Sequence, residues 1–188
     1  MFQKIFRIIF CITFLLGILL LIKPVYFYSK GILIQHILEN SWSIYKNNGI
    51  LVRSWFDIYP IGKLTIDNIS LNHIILDGAN SHELSYGLGR VDGSASLHDK
   101  KQKIIIAGHR DSFFKELRYI KKNDQIVLEH IEGKTIYKVD DIAIVSPLES
   151  NYITDKKRNT LILITCFPFN FIGDAPKRFI VECSLIEN

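Results

Sequence analysis

From Ile8 to Ile22 the chain reads IIFCITFLLGILLLI, a run without charge in which only Thr13 and Gly17 interrupt bulky apolar side chains. Val25–Tyr28 carries the apolar character past Lys23 and Pro24. A bilayer core takes about 20 helical residues. The pattern therefore predicts a spanning helix over Ile8–Tyr28 within an anchor of residues 1–30. Lys23 reaches toward the interface and the tyrosines sit among headgroups. The period then changes. Over Gly31–Asn48, Ile34, Ile37, Leu38, Ser41, Trp42 and Tyr45 recur at helical spacing, which predicts an amphipathic helix closed by Asn47-Asn48-Gly49. With its linker this segment fills residues 31–60.

Past residue 60 the chain turns to short β-branched runs. Leu64–Ile66, Ile69–Leu76, Ile104–Ala107, Gln125–His130, Lys134–Val145, Thr160–Thr165 and Arg178–Ile186 read as strands, and Glu132-Gly133 as a hairpin turn. Brief helical pieces fall at Ser81–Tyr86 and Ser112–Leu117. Many modest strands at close spacing predict a mainly β barrel or sandwich over residues 61–188.

Composition narrows the function. Hydrophobic residues at 48% and aromatics at 12% exclude a disordered chain. A net charge of +4 without a basic stripe gives no footprint for nucleic acid. The three cysteines, Cys11, Cys166 and Cys183, form neither a C-x-x-C pair nor a zinc-ligand pattern, so no metal is assigned. Lys4 and Arg7 ahead of the apolar run favour a cytoplasmic N-terminus. No small-x-small site follows that run, so an uncleaved signal anchor is expected over a cleaved peptide. Either reading puts the rest of the chain outside the cytoplasm.

Two segments place reactive side chains at the ends of apolar strands. In IIIAGHRDSFFKEL, over 104–117, Ala107 and Gly108 let the backbone turn tightly and a ligand approach His109. In TLILITCFPFNFIGDAPKRFIV, over 160–181, a buried strand ends at Thr165-Cys166 and the next begins at Arg178. A cysteine attacks a carbonyl as thiolate, which a neighbouring imidazolium or guanidinium favours. The tetrahedral oxyanion then needs a donor, which arginine supplies. From composition and spacing alone, an inert strand-end thiol and a loop histidine remain open.

GHRD at 108–111 with Phe113, Phe114 and Leu117, LITC at 163–166 and APKRFIV at 175–181 together resemble the histidine, cysteine and arginine motifs of sortases, in the family's order. The resemblance runs from about Ile61 to the C-terminus. With the helix ending near Gly49 and the Trp55–Pro60 lead-in, it is closest to the sortases of Gram-negative bacteria, with class D next. Ile162 stands where the family usually has threonine, a position expected in the strand interior. The resemblance implies an eight-stranded sortase-type β-barrel with short helices. It also implies a cysteine transpeptidase that needs no cofactor. Cys166 is the expected nucleophile, His109 the proton donor and acceptor, and Arg178 the oxyanion and substrate stabiliser; Thr165, Gly108 and Ala107 are candidates to line the groove. The implied partners are a protein bearing a C-terminal sorting signal, an amine acceptor and membrane lipid around the N-terminal helix. The implied location is single-pass in the plasma (inner) membrane, with the catalytic domain extracytoplasmic, periplasmic in a Gram-negative cell. Competing readings are a membrane-tethered β-domain that binds an envelope partner and another extracytoplasmic cysteine peptidase.

Strand parity bears on the third cysteine. If Arg178 faces the groove, Ile180, Glu182 and Ser184 share its side, and Phe179, Val181, Cys183 and Leu185 face inward. Cys183 is then a core thiol and not a disulfide partner of Cys166.

Overall fold

The computed structural model describes residues 2–49, 58–148 and 159–186. Helix α1 spans Phe2–Asn48, and strands follow at Pro60–Ile66 (β1), Leu71–Asp77 (β2), Leu88–Arg90 (β3) and Lys103–Ala107 (β4). Strands Gln125–His130 (β5), Gly133–Val145 (β6), Thr160–Phe167 (β7) and Lys177–Leu185 (β8) complete the set. A short helix α2 at Ser81–Leu84 and a 3-10 turn at Lys115–Tyr119 stand where helical pieces were expected. The eight strands close a barrel in the order β1-β2-β3-β4-β7-β8-β6-β5. Closure leaves no sheet edge exposed.

Helix α1 covers both the apolar run and the amphipathic stretch and runs through Pro24 without interruption. The chain forms two compact units, Met1–Ile37 and Leu38–Asn188. In the first unit, Gln3–Tyr26 is long and apolar enough to cross a bilayer, with a mean hydropathy of 2.8. In the second, Leu38, Ser41 and Trp42 are buried, and Lys46 pairs with Glu129 on β5 at 3.0 Å. Trp55–Asp57 of the expected lead-in lie outside the described residues.

Seven strands fall where the sequence pattern puts them, within about two residues at most ends. β3 escapes that pattern because Leu-Gly-Arg is too short to show alternation. A Cβ at Gly89, its middle residue, would run into the backbone of Gly78 and Ala79, so the strand needs glycine there. The side chains of β4, β7 and β8 alternate between two apolar clusters, as a pleated strand requires. Ile104, Ile106, Leu161, Leu163, Phe179, Val181 and Cys183 point into the main core with Leu128, Tyr137 and Phe114. Ile105, Ile162 and Ile180 point the other way, into a second cluster with Val145. These strands are therefore apolar on both faces, and the outer face is the one available to a groove.

Two histidines of this unit are held toward the neutral form. Burial, with minor contributions from His98 and Lys100 against Glu132, lowers the pKa of His130, whose Nε2 lies 2.9 Å from Thr135 Oγ1. Burial likewise lowers His73, with Glu116 opposing. An unfolded histidine titrates near 6.5 and takes up the proton that the folded site resists. Stability is thus complete above about pH 6.5 and declines as pH falls toward the depressed folded values. We predict that urea midpoints drop from pH 7.5 to 5.0 and that His130→Gln makes this drop smaller; an unchanged drop in the variant would contradict the assignment.

Candidate active site

β4 and β7 run parallel with Ile106 opposite Leu163 and Ala107 opposite Ile164. Beyond the end of β4 the pairing is prolonged by two hydrogen bonds. Gly108 N–H donates to Ile164 O at 3.2 Å, and Thr165 Oγ1 donates to Gly108 O at 2.7 Å. His109 and Cys166 are the next residues along the two segments. On the other side of β7, Cys166 is the direct antiparallel partner of Arg178. Directly opposed residues in such a pair project from the same face. The next position over, on β6, is Val145, opposite Arg178. The backbone thus sets Cys166, Arg178 and Val145 in one row across three strands, with His109 in the turn that follows β4.

The neighbouring row, one pleat period below, is Ala107, Ile164, Ile180 and Ala143, read across β4, β7, β8 and β6. All four are apolar, and Ile164, Ile180 and Ala143 belong to the outer-face cluster. The barrel wall therefore presents an apolar floor one pleat period from Cys166 and Arg178.

The turn carrying His109 is braced from beneath. Phe114 N–H donates to His109 O at 2.9 Å, and Phe114 is fully buried. A Cβ on Gly108 would come within 2.7 Å of both Leu88 Cδ2 and Phe114 Cδ2, so only glycine permits this closeness. His109 itself is exposed, whereas Cys166 and Arg178 are half-buried. The guanidinium of Arg178 donates from Nη1 to Ala175 O at 3.2 Å and Lys177 O at 3.1 Å.

Two of the expected groove-lining residues have another task. Thr165 is buried, shares the inward parity of Leu161 and Leu163, and spends its hydroxyl on Gly108. Gly108 is buried against Leu88 and Phe114. Both shape the site from the core side, and Thr165, next to Cys166 in the strand, must face away from it. Ala107 keeps the outward parity. β7 also continues to Phe167, so Cys166 lies inside the strand rather than at its end. Ile162 sits in the strand interior at 1% exposure, as expected for a packing position.

Cys183 is a free thiol in the main core, as parity predicts. Burial pushes its pKa up, which keeps it protonated and unreactive. Among the described residues no group of three His, Cys, Asp or Glu is arranged to hold a metal ion. The sequence pattern assigned Arg110 and Arg118 no role, yet both reach the loop between β7 and β8. Arg110 donates from Nη2 to Phe171 O at 2.7 Å and Gly173 O at 2.9 Å. Arg118 donates to Asn170 Oδ1 at 3.2 Å and lies 5.4 Å from the Phe169 ring centre. The visible signal for Arg110 was its place directly after a Gly-His turn.

Against known proteins, the model of the sortase domain family matches residues 64–186. Sortase D of Bacillus subtilis (strain 168) is 33% identical over 121 residues, covering 64% of this chain and 61% of that protein. Among solved structures, sortase A from Corynebacterium diphtheriae superposes with a TM-score of 0.63 at 25% identity, covering 69% of this chain and 61% of that one. A sortase D5 transpeptidase from Clostridium perfringens gives a TM-score of 0.65 at 18% identity, covering 82% and 99%, and shares the fold. The chain belongs to the sortase family. It spans about three fifths of the length of the curated relatives it matches.

The two barrel thiols should separate by chemistry. Brief iodoacetamide treatment of the native protein, followed by peptide mass mapping, is expected to modify Cys166 and leave Cys183 untouched until denaturant is added. Equal native labelling of both, or a Cys166–Cys183 disulfide, would contradict the inward placement of Cys183.

Proposed function

We propose that this chain is a membrane-anchored cysteine transpeptidase that cleaves a C-terminal sorting signal and passes the acyl group to an amine. The observation that carries the reading is the cross-strand pairing of Cys166 with Arg178, on the strand whose pairing with β4 ends two residues before His109. Family membership and the apolar Gln3–Tyr26 helix support it. The helix anchors the chain in the plasma (inner) membrane, with the barrel on the extracytoplasmic side.

The substrate peptide lies along the outer-face floor, its apolar side chains over Ile164 and Ile180. Cys166 Sγ, as thiolate, attacks the carbonyl carbon of a Thr-Gly-type bond. Electron density moves to the carbonyl oxygen, where the guanidinium of Arg178 donates to the oxyanion. The tetrahedral carbon collapses, the C–N bond breaks, and the departing amine takes its proton from the His109 imidazolium. A thioester to Cys166 remains. The acceptor amine gives a proton to the now neutral imidazole as it attacks the thioester, and Cys166 leaves as thiolate. Splitting one amide exchange into two acyl transfers is the ordinary gain of covalent catalysis. No cofactor takes part in these steps.

The test uses a peptide carrying a Thr-Gly bond, with hydroxylamine as acceptor. The wild type is expected to show an intact-mass adduct equal to the acyl fragment, discharged by hydroxylamine as a hydroxamate. Cys166→Ala should abolish adduct and turnover with an unchanged melting temperature. Arg178→Lys should lower kcat by about 10²–10³-fold, the usual effect of losing an oxyanion donor. Turnover surviving in Cys166→Ala would remove the thioester route, and a wild type with neither adduct nor turnover would leave a tethered binding domain as the reading.

A further inference from the structure

The loop of residues 168–176 connects Cys166 on β7 to Arg178 on β8, so its shape bears on both residues at once. Its first part is rooted in the barrel. Phe169 packs edge-on to Phe179 with ring centres 5.2 Å apart, and Phe167 stacks on Phe179 at 6.3 Å. Its last part leads into β8, with Ala175 O and Lys177 O accepting from Arg178. The stretch between has no such root. Phe171 is 43% exposed and Ile172 96%, and Gly173 adopts a φ of +97°. Among the described residues, Arg110 supplies the side-chain hydrogen bonds that reach residues 171–173.

We infer that Arg110 is a positioning residue of this site: its guanidinium ties the middle of the 168–176 loop to the turn that carries His109, and so fixes where Arg178 stands. The inference rests on the transpeptidase reading above. One nitrogen, Nη2, donates to two carbonyls separated by a single residue, which holds the chain in a bend around the guanidinium. Hydrogen bonds from a charged donor are about twice as strong as neutral ones, so this is a firm tie for an exposed loop. Continuity then runs from His109 to Arg110, to the carbonyls of Phe171 and Gly173, to Ala175, and from its carbonyl to the Arg178 guanidinium. The three reacting groups are thereby linked along two routes, the strand register and this tether. A lysine at position 110 would offer a charge without the planar fork, and is expected to replace it only in part.

The experiment reads the tether directly and then through the chemistry, using the full chain in detergent. In hydrogen–deuterium exchange, Arg110→Ala is expected to speed exchange of peptides covering 168–176 by about fivefold or more while β4 and β7 peptides stay protected. With a quenched fluorescent Thr-Gly peptide, Arg110→Ala should lower kcat about tenfold and change KM by less than about threefold. Arg110→Lys should fall between the two. In an Arg178→Lys background, the same Arg110→Ala change should cost less than about threefold, because a residue acting through Arg178 loses its effect when Arg178 is altered. Unchanged exchange in the loop, or a full tenfold loss irrespective of Arg178, would overturn the proposal. Absence of turnover by the wild type would count against the transpeptidase reading, and the exchange result would still decide the tether.

Discussion

The site depends on one piece of backbone register, the seating of β7 between β4 and β8. β7 hydrogen-bonds on both sides, parallel to β4 and antiparallel to β8. A slip of one residue on either side would turn every side chain to the opposite face. Cys166 would then point into the core and Thr165 outward, and no local adjustment could restore the row with Arg178. The register is held by burial, since Leu161, Leu163, Ile104, Ile106 and Val181 fill the interior only in this alignment. At the reactive end, where the ladder would otherwise fray, Thr165 Oγ1 and the Gly108 carbonyl extend it by one more bond. A buried hydrogen bond of this kind contributes about 1 kcal/mol net, and an orphaned carbonyl would cost about 1–3 kcal/mol.

The same alternation explains how one fold keeps one thiol inert and leaves another available. Cys183 and Cys166 lie on adjacent strands but on opposite parities. Cys183 faces the core with Phe179 and Val181, and Cys166 faces out with Ile162 and Ile164. Burial stabilises the neutral form of the first, and the second is half-buried with Arg178 as its cross-strand partner. Distance along the chain is irrelevant to this division. Parity decides it.

Much of this was legible in the residues themselves. Period-two runs such as Gln125–His130 announce their strands, and the oddness of the interval from Arg178 to Cys183 assigns Cys183 to the core. Other features were hidden for physical reasons. β3 is too short for alternation, and Pro24 masks the continuity of α1, since proline normally interrupts a helix. Thr165 resembled a groove residue because it touches Cys166 in sequence, although neighbours in a strand face apart. Arg110 is marked only by its place after a Gly-His turn. Its partners are backbone carbonyls of residues 171 and 173, far along the chain, and backbone acceptors leave no trace in sequence.

The proximity of positions 109 and 166 is the central requirement, and it can be measured without any substrate. Parallel neighbours lie about 4.8 Å apart, within the Cα separation that a disulfide requires. In a chain carrying His109→Cys and Cys11→Ser, mild oxidation followed by peptide mapping should yield a disulfide between positions 109 and 166 as the main product. Recovery of both as separate, freely alkylated thiols after oxidation would mean that imidazole and sulfur do not share a cleft.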